Sequence, residues 1–70
     1  MMPLTFAKPG ETAVIRGING RDEVRQHLAE LGFVVEAPVT LVSEMGGNLI
    51  LRVKDSRVAL DKGMAARIMV

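Results

Sequence analysis

The segment from Val39 to Val53 constrains the fold most strongly, because two apolar stretches in it are separated by Gly46-Gly47-Asn48. Valine and isoleucine favour extended strands, and leucine fills their buried faces. Glycine and asparagine adopt the positive φ angles that tight hairpin turns require. The sequence therefore predicts strands over residues 39–45 and 49–53, paired as an antiparallel hairpin.

Three further strands are predicted where β-branched residues lie between turn-forming ones. The first follows Pro9-Gly10 and ends before Asn19-Gly20. The other two lie on either side of one helical turn that starts at Asp61-Lys62-Gly63. These three strands cover residues 12–18, 57–60 and 67–70.

A short amphipathic helix is predicted between the first and second strands. Asp22 is expected as its N-cap, with Glu23 in the first turn, where a carboxylate interacts favourably with the helix dipole. Gly32 is expected to end the helix in a left-handed conformation. One apolar stripe, at spacing i, i+4 and i+7, is expected to face the core: Val24, Leu28 and Leu31.

Five short strands and one helix in a chain of this length favour a small closed or nearly closed β-barrel, because closure removes exposed sheet edges. At 70 residues without cysteine, the chain has no disulfide and must gain its stability from apolar packing. We expect residues 1–70 to form one domain.

The apolar content, 49% of the residues, exceeds what so small a core readily holds. Alternation along the strands leaves Val42, Ile50 and Met69, with Val14, outside the barrel. These side chains could form a partner-binding surface and promote self-association. Alternatively, the helix and loops cover them. The sequence leaves both readings open.

Several functions are disfavoured by composition. The net charge is +1 with interleaved signs, and Phe6 and Phe33 are the only aromatic residues, so nucleic acid is not expected as a partner. No apolar stretch is long enough for direct membrane insertion, and we expect a cytoplasmic protein. Phosphate-loop and dinucleotide motifs are absent, and Ser43 and Ser56 have no evident histidine partner, so we do not expect an enzyme.

His27 is the candidate metal ligand, because Glu23 and Glu30 lie at i−4 and i+3 on the same side of the helix. This group could hold a divalent transition metal weakly, or simply be solvated. No other cofactor is expected.

Arg25 has two possible interpretations as well: it contacts an acidic patch on a partner, or it pairs with a nearby carboxylate of its own chain.

The helix with its glycine stop, the strand LILRV and the segment RVALDKGMAARIMV together resemble the FeoA family, ferrous iron transport protein A. The first block of the family pattern is matched by Arg25, Leu28, Leu31 and Gly32, and the last block by Leu60, Ala65, Ile68 and Val70. The chain departs from the pattern at Glu36-Ala37-Pro38, where the family usually has a glycine pair, and at Gly63-Met64, where a glutamate is frequent.

The resemblance implies an SH3-like β-barrel with the helix inserted between the first two strands. It also implies a cytosolic accessory protein that interacts with FeoB, the membrane ferrous-iron transporter. From the strand alternation and the charge on the helix, we expect the contacts with this partner to be Val42, Ile50, Met69 and Arg25. The alternative is a metal-responsive regulatory domain that binds Fe(II) or another divalent metal. An Sm-like RNA-binding barrel fits less well, since its helix precedes the first strand.

Overall fold

Six short strands and two helices follow one another along residues 1–70 in the computed structural model of the chain. After a 3₁₀ turn at Leu4–Phe6, the elements are β1 (Thr12–Val14), β2 (Gly17–Ile18), α1 (Asp22–Glu30), β3 (Pro38–Met45), β4 (Asn48–Val53), β5 (Ser56–Asp61), α2 (Lys62–Ala65) and β6 (Ile68–Met69). The mainly β composition and the helix inserted early in the chain are as predicted from the sequence.

Two antiparallel sheets form the fold. One contains four strands in the order β1-β3-β4-β5, and the other pairs β2 with β6. Gly46-Gly47 and Lys54-Asp55 are the two-residue turns that join β3 to β4 and β4 to β5, with Gly46 and Lys54 at positive φ. The predicted hairpin over residues 39–53 is therefore confirmed, with strand ends within one residue of the expected ones.

The predicted first strand over residues 12–18 is wrong as a single element. It is interrupted at Ile15 and Arg16, where the chain passes from one sheet to the other. The N–H of Ile15 donates to Ala37 O (2.9 Å), whereas the N–H of Arg16 donates to Met69 O (2.7 Å). This change of partner connects the two sheets and explains why six strands are found instead of five.

The N-cap of helix α1 lies one residue earlier than expected. Arg21 is the N-cap and makes no side-chain capping bond, so Asp22 is the first helical residue. The Asp22 carboxylate instead accepts a hydrogen bond from Arg25 one turn later. The end of the helix is as predicted, because Gly32 has a φ of +107°.

The core contains twelve buried apolar residues and no buried polar or charged one. Alternate residues of β3 and β4 point inward, together with one residue each from α1, β5, α2 and β6. Val24 and Leu31 pack against this core beside the fully buried Leu28, which confirms the predicted helix stripe. The full set is Leu4, Ile15, Leu28, Phe33, Val39, Leu41, Leu49, Leu51, Val53, Leu60, Ala65 and Ile68.

The two ends of the chain pair with each other, which the sequence did not indicate. The N–H of Met2 donates to Val70 O and the N–H of Val70 to Met2 O, both at 2.8 Å, and Pro3 bridges to Met69.

Neither helix combines the length and the apolar character needed to cross a bilayer.

Candidate partner-binding surface

Val42 and Ile50 lie on the outer face of the four-stranded sheet. Leu41 and Leu51 are buried and directly opposite each other, and Ser43 is opposite Ile50. Val42 is therefore an extra residue in β3, a β-bulge that sets Val42 and Ser43 against Ile50. Both apolar side chains are half-buried, so this face presents part of each to solvent.

Met69 does not join this surface. It lies in β6, opposite Gly17 and bridged to Pro3, in the two-stranded sheet. Its side chain is half-buried like the other two. The structure thus brings Val42 and Ile50 together and separates Met69 from them.

Arg25 is exposed on α1 and forms an ion pair with Asp22, the intramolecular pairing considered from the sequence. It also borders a groove of about 420 Å³ between α1 and the segment that follows it. The groove is lined by Ile18, Ala29, Phe33, Val34 and Val35, with Asp22, Arg25 and Gln26.

This groove was not anticipated. Val34 and Val35 are 39% and 52% exposed, although they are β-branched residues that lie shortly before strand β3. The available clue was the run of three apolar residues after Gly32. Only Phe33 of the three is buried, so the two valines remain exposed and line the groove. The groove combines an apolar floor with a charged rim, which is the composition of a peptide- or protein-binding surface.

The predicted metal ligands Glu23, His27 and Glu30 are all exposed on α1. None of them forms an ion pair. No group of three or more histidine, aspartate or glutamate side chains gathers closely enough to hold a metal ion. A metal bound at His27 would therefore need ligands from elsewhere.

The residues and spacing described above match a known family over almost the whole chain. The family model described as the FeoA domain matches residues 2–70. The chain belongs to the FeoA family. A relative from Methanocaldococcus jannaschii, named "Putative Fe(2+) transport protein A", is 31% identical over 70 residues, which is 100% of this chain and 85% of the relative.

Solved FeoA structures share the fold. The crystal structure of an iron uptake regulatory protein (FeoA) superposes with a TM-score of 0.88 at 31% identity, covering 96% of this chain and 89% of that one. Stenotrophomonas maltophilia FeoA, solved with zinc and described as an SH3 domain protein, gives 0.86 at 28% identity, covering 99% and 88%. The predicted SH3-like barrel is confirmed, and the FeoA family places the chain among ferrous-iron transport proteins.

Proposed function

We propose that this FeoA chain is a cytoplasmic, non-enzymatic accessory of ferrous-iron uptake that regulates a FeoB-type membrane transporter by binding it. The observation that carries the proposal is the family match over residues 2–70 together with partly exposed apolar side chains on the barrel surface.

The contacts we propose are those expected from the sequence, and they now divide into three locations. Val42 and Ile50 share the outer face of the four-stranded sheet, Arg25 borders the groove beside α1, and Met69 lies in the two-stranded sheet. A single partner surface need not touch all three. Separate substitutions can therefore assign the face that is used.

The test is a titration of the purified protein with the cytoplasmic part of the FeoB-type transporter. We expect saturable binding by the native chain, and weakening by at least about tenfold, or about 1.4 kcal/mol, for one or more of Ile50→Glu, Arg25→Glu and Met69→Glu. Met45→Glu is the matched control, since Met45 is 66% exposed at the β3–β4 turn. No saturable binding by the native chain contradicts the function, and equal binding by all variants contradicts the proposed contacts.

A second candidate is favoured by one observation, the zinc complex of the Stenotrophomonas maltophilia relative. In this chain, a metal-responsive function would use His27 with Glu23 or Glu30, completed by ligands from a second chain, because no three such groups gather within one chain. Calorimetric titration with Zn(II) or Fe(II) should then show weak binding that His27→Ala removes. Identical isotherms for both proteins would exclude this side of α1 as the site.

A further inference from the structure

One row of residues crosses all four strands on the outer face of the four-stranded sheet. Thr12 is opposite Thr40, Thr40 is opposite Arg52, and Arg52 is opposite Arg57. The Oγ1 atoms of the two threonines are 2.7 Å apart, within hydrogen-bond distance. We call these four residues the polar row.

The cations at one end of the polar row form no ion pair within the chain. The three ion pairs of the protein join Arg16 to Glu36, Arg25 to Asp22 and Lys62 to Glu44. Arg52, Arg57 and the neighbouring Lys54 take part in none of them. Like charges placed directly opposite each other on paired strands are destabilising, so the Arg52 and Arg57 pair lowers the stability of the sheet.

These cations surround a surface hollow of about 280 Å³ that contains no apolar lining residue. It lies at the turn between β4 and β5, where Lys54 has a φ of +56°. The only acidic residue there is Asp55, so the three cations and one carboxylate leave a local excess of two positive charges. The hollow is lined by Arg52, Lys54, Asp55, Ser56 and Arg57.

An apolar row lies beside the polar row on the same face. Ile50 is two residues from Arg52 along β4, a rise of about 7 Å, and it is opposite Ala59 on β5 and Ser43 on β3. Val42 joins this row through the bulge. The outer face therefore presents a cationic strip and a partly exposed apolar strip side by side.

We propose that this face binds an acidic amphipathic segment of a protein partner, with carboxylates on Arg52 and Arg57 and an apolar side chain on Val42 and Ile50. The planar guanidinium group matches a carboxylate in two-point geometry, and the neighbouring apolar strip fits a side chain of the same segment. Three cations are fewer than the four to eight that typically mark binding to anionic membranes. The proposal rests on the proposed function only for the identity of the partner.

The face can be tested without the transporter. The probe is the synthetic peptide Glu-Glu-Leu-Glu-Glu, titrated into isotopically labelled protein at low salt and followed by NMR. We expect saturable shifts at residues 40, 50, 52 and 57, and weaker binding as salt screens the charges. Absence of saturable shifts, or shifts confined to other parts of the surface, would overturn the proposal.

A charge reversal separates binding from folding. Arg57→Glu should weaken peptide binding at least about tenfold, yet raise the urea midpoint, because it places opposite charges across the strand pair. Arg21→Glu is the control, since Arg21 is exposed and unpaired and the net charge changes equally. Arg57→Gln serves as the second variant. Unchanged affinity in both Arg57 variants, or an equal loss in the control, would contradict the proposal.

Parallel measurements distinguish this proposal from its alternatives and from the proposed function. Binding to anionic phosphatidylglycerol vesicles without binding to the peptide would overturn it in favour of a membrane surface. Peptide binding without transporter binding would support this face and contradict the proposed function. Equal transporter binding by the native chain and by Arg57→Glu, with no peptide binding, would contradict this face and leave the proposed function intact.

Discussion

Gly32 lies against Val53, so that a methyl group added to Gly32 would come within 3.4 Å of Val53 Cγ1. Gly32 ends α1 and Val53 ends β4 in the core of the barrel. The N–H of the next residue, Phe33, donates to Leu28 O at 2.9 Å, and the chain then buries Phe33. Helix α1 and strand β4 therefore meet closely at Gly32 and Val53.

Gly32→Ala should destabilise the protein by about 1–3 kcal/mol, because the φ of +107° is unfavourable for any residue with a Cβ. Urea unfolding measures the change. Gly47→Ala is the matched control, since Gly47 has open space around it and no positive φ. Equal stability of the two variants would contradict this account of the helix end.

Asp61→Ala should remove the N-cap of α2. The Asp61 carboxylate accepts a hydrogen bond of 2.7 Å from the N–H of Met64, and loss of such a cap costs about 0.5–2 kcal/mol. Asp61→Asn keeps an acceptor oxygen and should retain most of the stability in the same urea titration. If the asparagine variant is as unstable as the alanine variant, charge and not capping is the dominant contribution.

Local chemistry explains what could be predicted from the sequence. The turn at Gly46, the end of α1 at Gly32 and the start of α2 at Asp61 depend on residues within a few positions, so their patterns are readable in one sequence. The inward and outward alternation of β4 follows in the same way: Ile50 was expected outside, and Leu49, Leu51 and Val53, which alternate with it, are buried.

Features that depend on distant partners were not predictable. The break between β1 and β2 arises because Arg16 bonds to Met69, and the chain ends pair through Met2 and Val70. The bulge at Val42 requires the register of β3 against β4. The candidate site was therefore only partly foreseen: the outer face of Val42 and Ile50 was expected, but the groove beside α1 and the polar row were not.

Glu36→Gly should stabilise the protein by up to about 1 kcal/mol. Glu36 has a φ of +78°, a conformation that costs a residue with a Cβ about 1–2 kcal/mol and glycine much less, although glycine loses more chain entropy on folding. Glu36→Ala is the control, because it also removes the contact with Arg16 (3.9 Å) but keeps the strain. Stabilisation by both variants would assign the effect to the carboxylate.

Phe6 should promote weak self-association of the protein. It is 67% exposed and lines a pocket of about 340 Å³ with Met2 and Val70, beside the exposed Met1. Exposed apolar patches of this kind favour protein contacts, and we expect association that is detectable only at high protein concentration. Sedimentation velocity at low and high concentration should show the association in the native chain and in Met45→Ser, whose side chain does not line the pocket, but not in Phe6→Ser. A native chain that stays monomeric at every concentration would contradict this prediction.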